Sequence, residues 1–197
     1  MCDDATFRGH IDEVCISARK VISWVCRTFK SRSVSTMLTI WKSLILPKLE
    51  YCSQLWSPTV KKDIQKLELV QRDFVRKIHL NNHYNYWDIL NCLNMYSLQR
   101  RRERYIVIYV WKILENIVPN VSSLEHRKIS AHYTNRFGRK CKIPNVRGSS
   151  RSITLYERSL AVNGPKLFNV MPQHKRLVVL YCFHLQTTFG HFFMYCL

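Results

Sequence analysis

Four arginines in five positions, Arg100, Arg101, Arg102 and Arg104, head the segment Tyr96 to Lys112, YSLQRRRERYIVIYVWK. A guanidinium fork meets two phosphate oxygens at once, so this cluster offers a grip on phosphates, with a solvated helix start as the plain alternative. A second cationic patch comprises Arg136, Arg139, Lys140, Lys142, Arg147 and Arg151, in a polar stretch broken by Gly138, Pro144 and Gly148. Bond-making groups are poorly assembled by comparison. Asp3 and Asp4 are adjacent carboxylates, but no apolar strand precedes them and no motif places a third, so they read as a helix-entry cluster rather than a magnesium site. His79 and His83 stand at i, i+4 in HLNNH without the Glu that a zinc-peptidase helix needs. Cys182, His184, His191 and Cys196 leave an awkward one-residue gap for a tetrahedral metal. Ser149, Ser150 and Ser152 have no partnered His and Asp and read as loop formers. No catalytic residue, metal site or cofactor is expected in the chain.

The charge balance favours the phosphate reading. The 197-residue chain carries a formal net charge of +18. From Gln99 onward there are 17 Lys and Arg against 4 Glu, and no Asp follows Asp88. So much uncompensated charge repels itself, and a polyanionic partner relieves it; nucleic acid is the commonest, with an anionic membrane surface as competitor. A hydrophobic content of 47% excludes wholesale disorder and gives enough material for a real core. The eight cysteines are scattered through apolar stretches with no CxxC pair, as expected of buried thiols in an intracellular protein, nuclear or cytoplasmic and not secreted. The start of the chain has neither a basic n-region nor an apolar run of a secretory signal. Residues 177–197 lack Lys, Arg, Asp and Glu and are long enough to span a bilayer, but His184, Gln186, Thr187, Thr188 and His191 near the middle argue for an uncertain apolar tail instead.

The elements that must position these residues are mostly helices. Ile11, Val14, Cys15, Ala18, Val21, Ile22 and Val25 repeat at helical spacing, giving a first amphipathic helix. After the basic connector Arg27 to Arg32, Ser33 is a natural N-cap for a second, with Val34, Met37, Leu38, Trp41, Leu44 and Ile45 on one face until Pro47 kinks or ends it. A third begins after Ser57 and Pro58 and buries Ile64, Leu67, Val70, Phe74 and Ile78, with Glu68 to Arg72 and Asp73 to Lys77 as i, i+4 pairs. A short helix is predicted over Tyr86 to Cys92. Beyond the arginines, Ile106, Tyr109, Val110, Ile113, Leu114 and Ile117 form one stripe. The texture then turns polar from Ser122 to Ser152, with a short strand at Lys140 to Ile143 and a brief helix from Thr154 to Val162 that stops at the Asn163, Gly164, Pro165 turn. Trp24, Trp41, Trp56, Trp87 and Trp111 read as packing residues, base stacking being the alternative.

Four blocks in order resemble the C-terminal part of a non-LTR, LINE-type retrotransposon reverse transcriptase just past its palm: HIDEV with ARKVISWVCRTF, TIWKSLILPKLEYCSQLWSP, LELVQRDFVRKI, and YSLQRRRERYIVIYVWKIL. The segment Gly164 to Pro172, GPKLFNVMP, resembles a pattern near the end of such polyproteins more loosely, and from Leu177 the likeness fails, consistent with a frameshifted or decayed end. The resemblance implies a fragment of an RNA-directed DNA polymerase from a transposable element: a helical thumb over residues 6–119, a basic C-terminal extension over 120–176, and a tail over 177–197. Magnesium would belong to a palm outside this sequence, so the chain is expected to be inactive alone. Its partners would be RNA or an RNA/DNA template–primer duplex, held without sequence preference, and the rest of the polymerase. Three rivals are a domesticated helical module that binds protein, a pseudogene fragment without a role, and a basic tail-anchored membrane protein.

Overall fold

Apolar residues at helical spacing dictate most of what forms, and the described part of the chain is mostly α-helical. The computed structural model describes residues 7–30, 33–78, 84–120, 128–133, 140–145, 156–157 and 159–170. The chain divides into two compact units, Met1–Arg104 and Tyr105–Leu197. The division falls inside a helix, whereas the composition changes only after Pro119.

In the first unit, α1 (Arg8–Thr28) buries Ile11, Cys15, Ala18, Ile22 and Val25, the predicted stripe. Ser33 caps α2 (Val34–Ile40) as anticipated, its hydroxyl accepting from the Thr36 backbone N–H. Pro47 does not end the helix in the simple way expected. It lacks an N–H, and the chain absorbs the loss in a π-helical segment, Trp41–Ile45, before resuming as α3 (Leu46–Glu50) with Pro47 near its start. The wider turn rotates the buried face: Met37, Ile40, Trp41 and Ile45 point inward while Val34 and Leu44 are exposed. Cys52 then takes a left-handed conformation and leads into α4 (Ser53–Trp56).

α5 (Lys61–Ile78) buries Leu67, Val70, Phe74 and Ile78 in the same core, where Phe74 stacks on Trp41 with centroids 4.7 Å apart. The i, i+4 pairs expected on α5 do not form, because both acids serve other elements. Asp73 meets Arg19 of α1 at 3.7 Å. Glu68 accepts from the hydroxyl of Tyr86 on α6 (Tyr86–Cys92) at 2.9 Å and from the Gln99 backbone N–H at 2.7 Å. One carboxylate therefore ties α5 and α6 to the first turn of α7 (Leu98–Leu114), where an anion also suits the helix dipole. Burial and the Glu68 carboxylate push the Tyr86 phenol well above its ordinary pKa. α6 and α7 both end on an asparagine with positive φ, Asn94 and Asn116, followed by a backbone bond closing from Met95 to Leu90 and from Ile117 to Lys112. Asn tolerates the left-handed conformation that such helix ends need.

In the second unit, Val107, Val110 and Ile113 of α7 pack with Ile129, Cys141 and Phe168. Ile117 lies beyond the helix end and is exposed. β1 (Ala131–Tyr133) pairs antiparallel with β2 (Lys140–Cys141). β2 is the strand expected near Lys140, shorter by two residues, while β1 has no counterpart among the elements expected from the sequence. The last helix departs from expectation: it does not stop at Asn163–Gly164–Pro165 but runs through them as α8 (Leu160–Val170). Burial outweighs the local turn signal, since Val162, Gly164, Pro165 and Phe168 form its inward face, and a Cβ added to Gly164 would sit only 2.6 Å from the side chain of Val110. Two asparagine side chains stand in for strand partners, each spanning the N–H and C=O of one residue: Asn169 on Cys141 and Asn120 on Ile129.

A candidate nucleic-acid interface

The arginine cluster is divided among four different environments. Arg100 is exposed and lies over the Tyr96 ring, 4.9 Å from its centroid. Arg101 forms a two-pronged pair with Glu50 of α3 at 2.5 and 3.1 Å, both side chains largely buried. Arg102 is only 2% exposed, and neither of its terminal nitrogens has a hydrogen-bond partner. Burial lowers its pKa, while Glu68, Glu50 and Glu103 counter that shift. Arg104 is half-buried. Of the four, Arg100 is the one set on open surface. In the second patch Lys140 and Lys142 are exposed, whereas Arg136, Arg139, Arg147 and Arg151 lie outside the described residues. Also outside are Asp3 and Asp4, His79 and His83, Ser149, Ser150 and Ser152, the Cys182–Cys196 set and residues 177–197.

A cationic surface that sequence reasoning passed over emerges from the way α1 and α5 pair. Arg8 meets Asp63, Asp12 meets Lys66, and Arg19 meets Asp73, at 3.7, 2.7 and 3.7 Å. The partner lies 54 or 55 positions further along in each case, so the two helices run parallel and their C-terminal ends come together. The Asp12–Lys66 and Arg19–Asp73 pairs are half-exposed and contribute roughly 0–1 kcal/mol each, whereas Asp63 is buried beneath Arg8; all three fix the register. At the shared end stand Arg27 on α1 and Arg76 and Lys77 on α5, all exposed. Two parallel dipoles present partial negative charge there, which cations offset.

The supply of cations exceeds what two helix ends require. No Asp or Glu occurs between Glu13 and Glu50, a stretch that carries Arg19, Lys20, Arg27, Lys30, Arg32, Lys42 and Lys48. Opposite the buried stripe of α1, Ile16, Lys20, Trp24 and Arg27 follow one another at i, i+4, i+8 and i+11 and are all exposed. Lys77 shares the side of α5 that carries Lys66 and Asp73, and so faces the turn of α1 near Arg27. A helical-wheel reading of the α1 sequence holds this signal. The arginine run stands out in the sequence because it is dense, not because it is exposed.

The tryptophans separate in the same way. Trp41 and Trp56 are core residues, and the Trp56 indole donates to the Tyr51 carbonyl at 2.7 Å. Trp24 and Trp87 are exposed. Among the described residues, no group of three or more His, Cys, Asp or Glu is placed to hold a metal, and no helix is long and apolar enough to cross a membrane. Cys15 is buried, and that burial raises its thiol pKa. No family model, curated protein or solved structure matches the chain.

Proposed function

We propose that this chain grips the sugar-phosphate backbone of nucleic acid, without reading sequence, through the basic end of the parallel α1–α5 pair: Lys20, Arg27, Arg76 and Lys77, assisted by Arg100 elsewhere on the surface. The observation that carries this reading is the exposed cationic face built where two parallel helices end together, on which Asp73, one turn before Lys77, is already paired with Arg19. Ancestry in a LINE-type reverse transcriptase thumb is part of the proposal. It is supported by the four resembling blocks, each of which falls on helix in this chain: α1, the π segment through α4, α5 and α7. On this reading the chain supplies positioning to a polymerase whose metal-binding carboxylates lie in a palm, and RNA or an RNA/DNA duplex is its ligand.

Phosphate binding releases counterions, so affinity for a short RNA/DNA duplex should fall about 10³-fold or more between roughly 50 and 200 mM salt if six or more phosphates are engaged. Changing Lys20, Arg27, Arg76 and Lys77 together to Gln should flatten the dependence of log affinity on log salt by about 1 for every phosphate no longer engaged. An unchanged slope in that variant would refute the placement of the site.

The alternative, a helical module that holds another protein, has one observation on its side. Leu44 in the π segment, Tyr51 between α3 and α4, and Leu55 on α4 are exposed, Tyr51 at 77% and Leu55 at 75%. Association through such side chains would persist at high ionic strength, where phosphate binding fails.

A further inference from the structure

Trp24 is 49% exposed on the outward face of α1, one turn from Lys20 on one side and from Arg27 on the other. Nothing in core packing requires a large aromatic there, since the buried stripe of the helix runs along its opposite face. Phe29, just past the helix end and 37% exposed, meets the indole edge to face with centroids 6.3 Å apart. The result is a two-ring aromatic corner flanked by cations, in a stretch of chain without a single carboxylate.

We propose that this corner is a stacking platform for an unpaired nucleotide, with the Lys20 and Arg27 charges on the adjoining phosphates. The inference rests on the nucleic-acid reading above and narrows its ligand to strands that carry unpaired bases, such as a single strand or a duplex with an overhang. A base inside a duplex already has neighbours on both faces, so an exposed indole gains nothing from it; an unpaired base offers a free π-face, and stacking it is worth about 1–3 kcal/mol. An anionic membrane surface could also attract Lys20 and Arg27, but interfacial helices sink a continuous apolar face into lipid. The apolar face of α1 is committed to the core, and its outward face alternates cations with Ile16 and Trp24.

The test compares the full chain with Trp24→Ala, Trp24→Phe and Lys20→Gln/Arg27→Gln. Probes are a labelled oligothymidylate, an abasic strand of equal length, a blunt RNA/DNA duplex and vesicles rich in phosphatidylserine. Trp24→Ala should weaken oligothymidylate binding by about 5- to 150-fold, the stacking energy converted to affinity, and leave the abasic strand and the blunt duplex unchanged. Trp24→Phe should restore part of the loss, because a smaller ring still stacks. An oligothymidylate affinity unaffected by Trp24→Ala, while the double charge variant still loses binding, would overturn the stacking platform and leave the phosphate grip standing. A wild-type chain that binds no nucleic acid at any salt would overturn both. Vesicle binding that depends on Trp24 while oligothymidylate binding does not would assign the corner to lipid instead.

Discussion

At the scale of the residue, the arginine run shows how little side-chain type says about role. Arg101 and Arg102 are neighbours in sequence, yet one is held by Glu50 and the other has terminal nitrogens that no acceptor meets. Sequence could not distinguish them, because the deciding partner sits 51 positions away on another helix. Opposite outcomes follow for two substitutions of the same amino acid. Arg101→Gln removes the two-pronged pair with the largely buried Glu50 and should cost about 3 kcal/mol. Arg102→Met replaces a desolvated cation with an apolar chain of similar reach and should stabilise by about 1–4 kcal/mol. Urea unfolding midpoints measure both, and a stabilised Arg101→Gln or a strongly destabilised Arg102→Met would contradict the two environments. Neither variant should alter the salt slope of nucleic-acid binding, since neither guanidinium faces open solvent.

At the scale of the element, periodicity made the first-unit helices legible: α1 and α5 lie where their apolar stripes put them, α6 spans the short helix expected over Tyr86 to Cys92, and Ser33 caps α2 as its position implied. What could not be read were features settled by tertiary packing. The π segment before Pro47 moves Val34 and Leu44 out of the core by changing the turn, an adjustment no fixed period anticipates. α8 continues through Gly164 and Pro165, which would form a turn in an isolated peptide, because both are buried and Gly164 lies against Val110. Gly164→Ala should therefore destabilise the second unit by roughly 1–3 kcal/mol, although alanine is ordinarily the better helix former. Hydrogen exchange along α8 would register the loss; unchanged protection would show that Val110 can move aside. The proposed binding surface was equally hidden, for a helical wheel displays the Lys20, Trp24, Arg27 face but not the parallel pairing that sets α5's last turn beside it.

At the scale of the whole molecule, salt screening of the net charge of +18 should act on stability and on the proposed nucleic-acid binding with opposite sign. Salt screens the repulsion of like charges from one another, so the melting temperature of the free chain should climb as ionic strength rises from about 20 to 300 mM. Over the same range its hold on nucleic acid should decline. Calorimetry at a series of salt concentrations, alone and with an oligonucleotide, reads both trends, and a free chain that melts lower in high salt would mean that its cations are already matched within the fold. The division into Met1–Arg104 and Tyr105–Leu197 gives each end of α7 its own role. The first turn is fastened by Glu68, while the later residues seed the second core.

The clasp of Asn169 on Cys141 leaves that position chemically brittle. The side chain accepts from the Cys141 N–H through its oxygen and donates to the Cys141 carbonyl through its nitrogen, at 2.8 and 2.9 Å. Slow hydrolysis of the amide, an ordinary lesion of ageing proteins, would swap the nitrogen for a second oxygen. One lone pair would then confront another where a bond had been, and a spontaneous change of one functional group would unfasten β2 from α8 without any mutation of the gene.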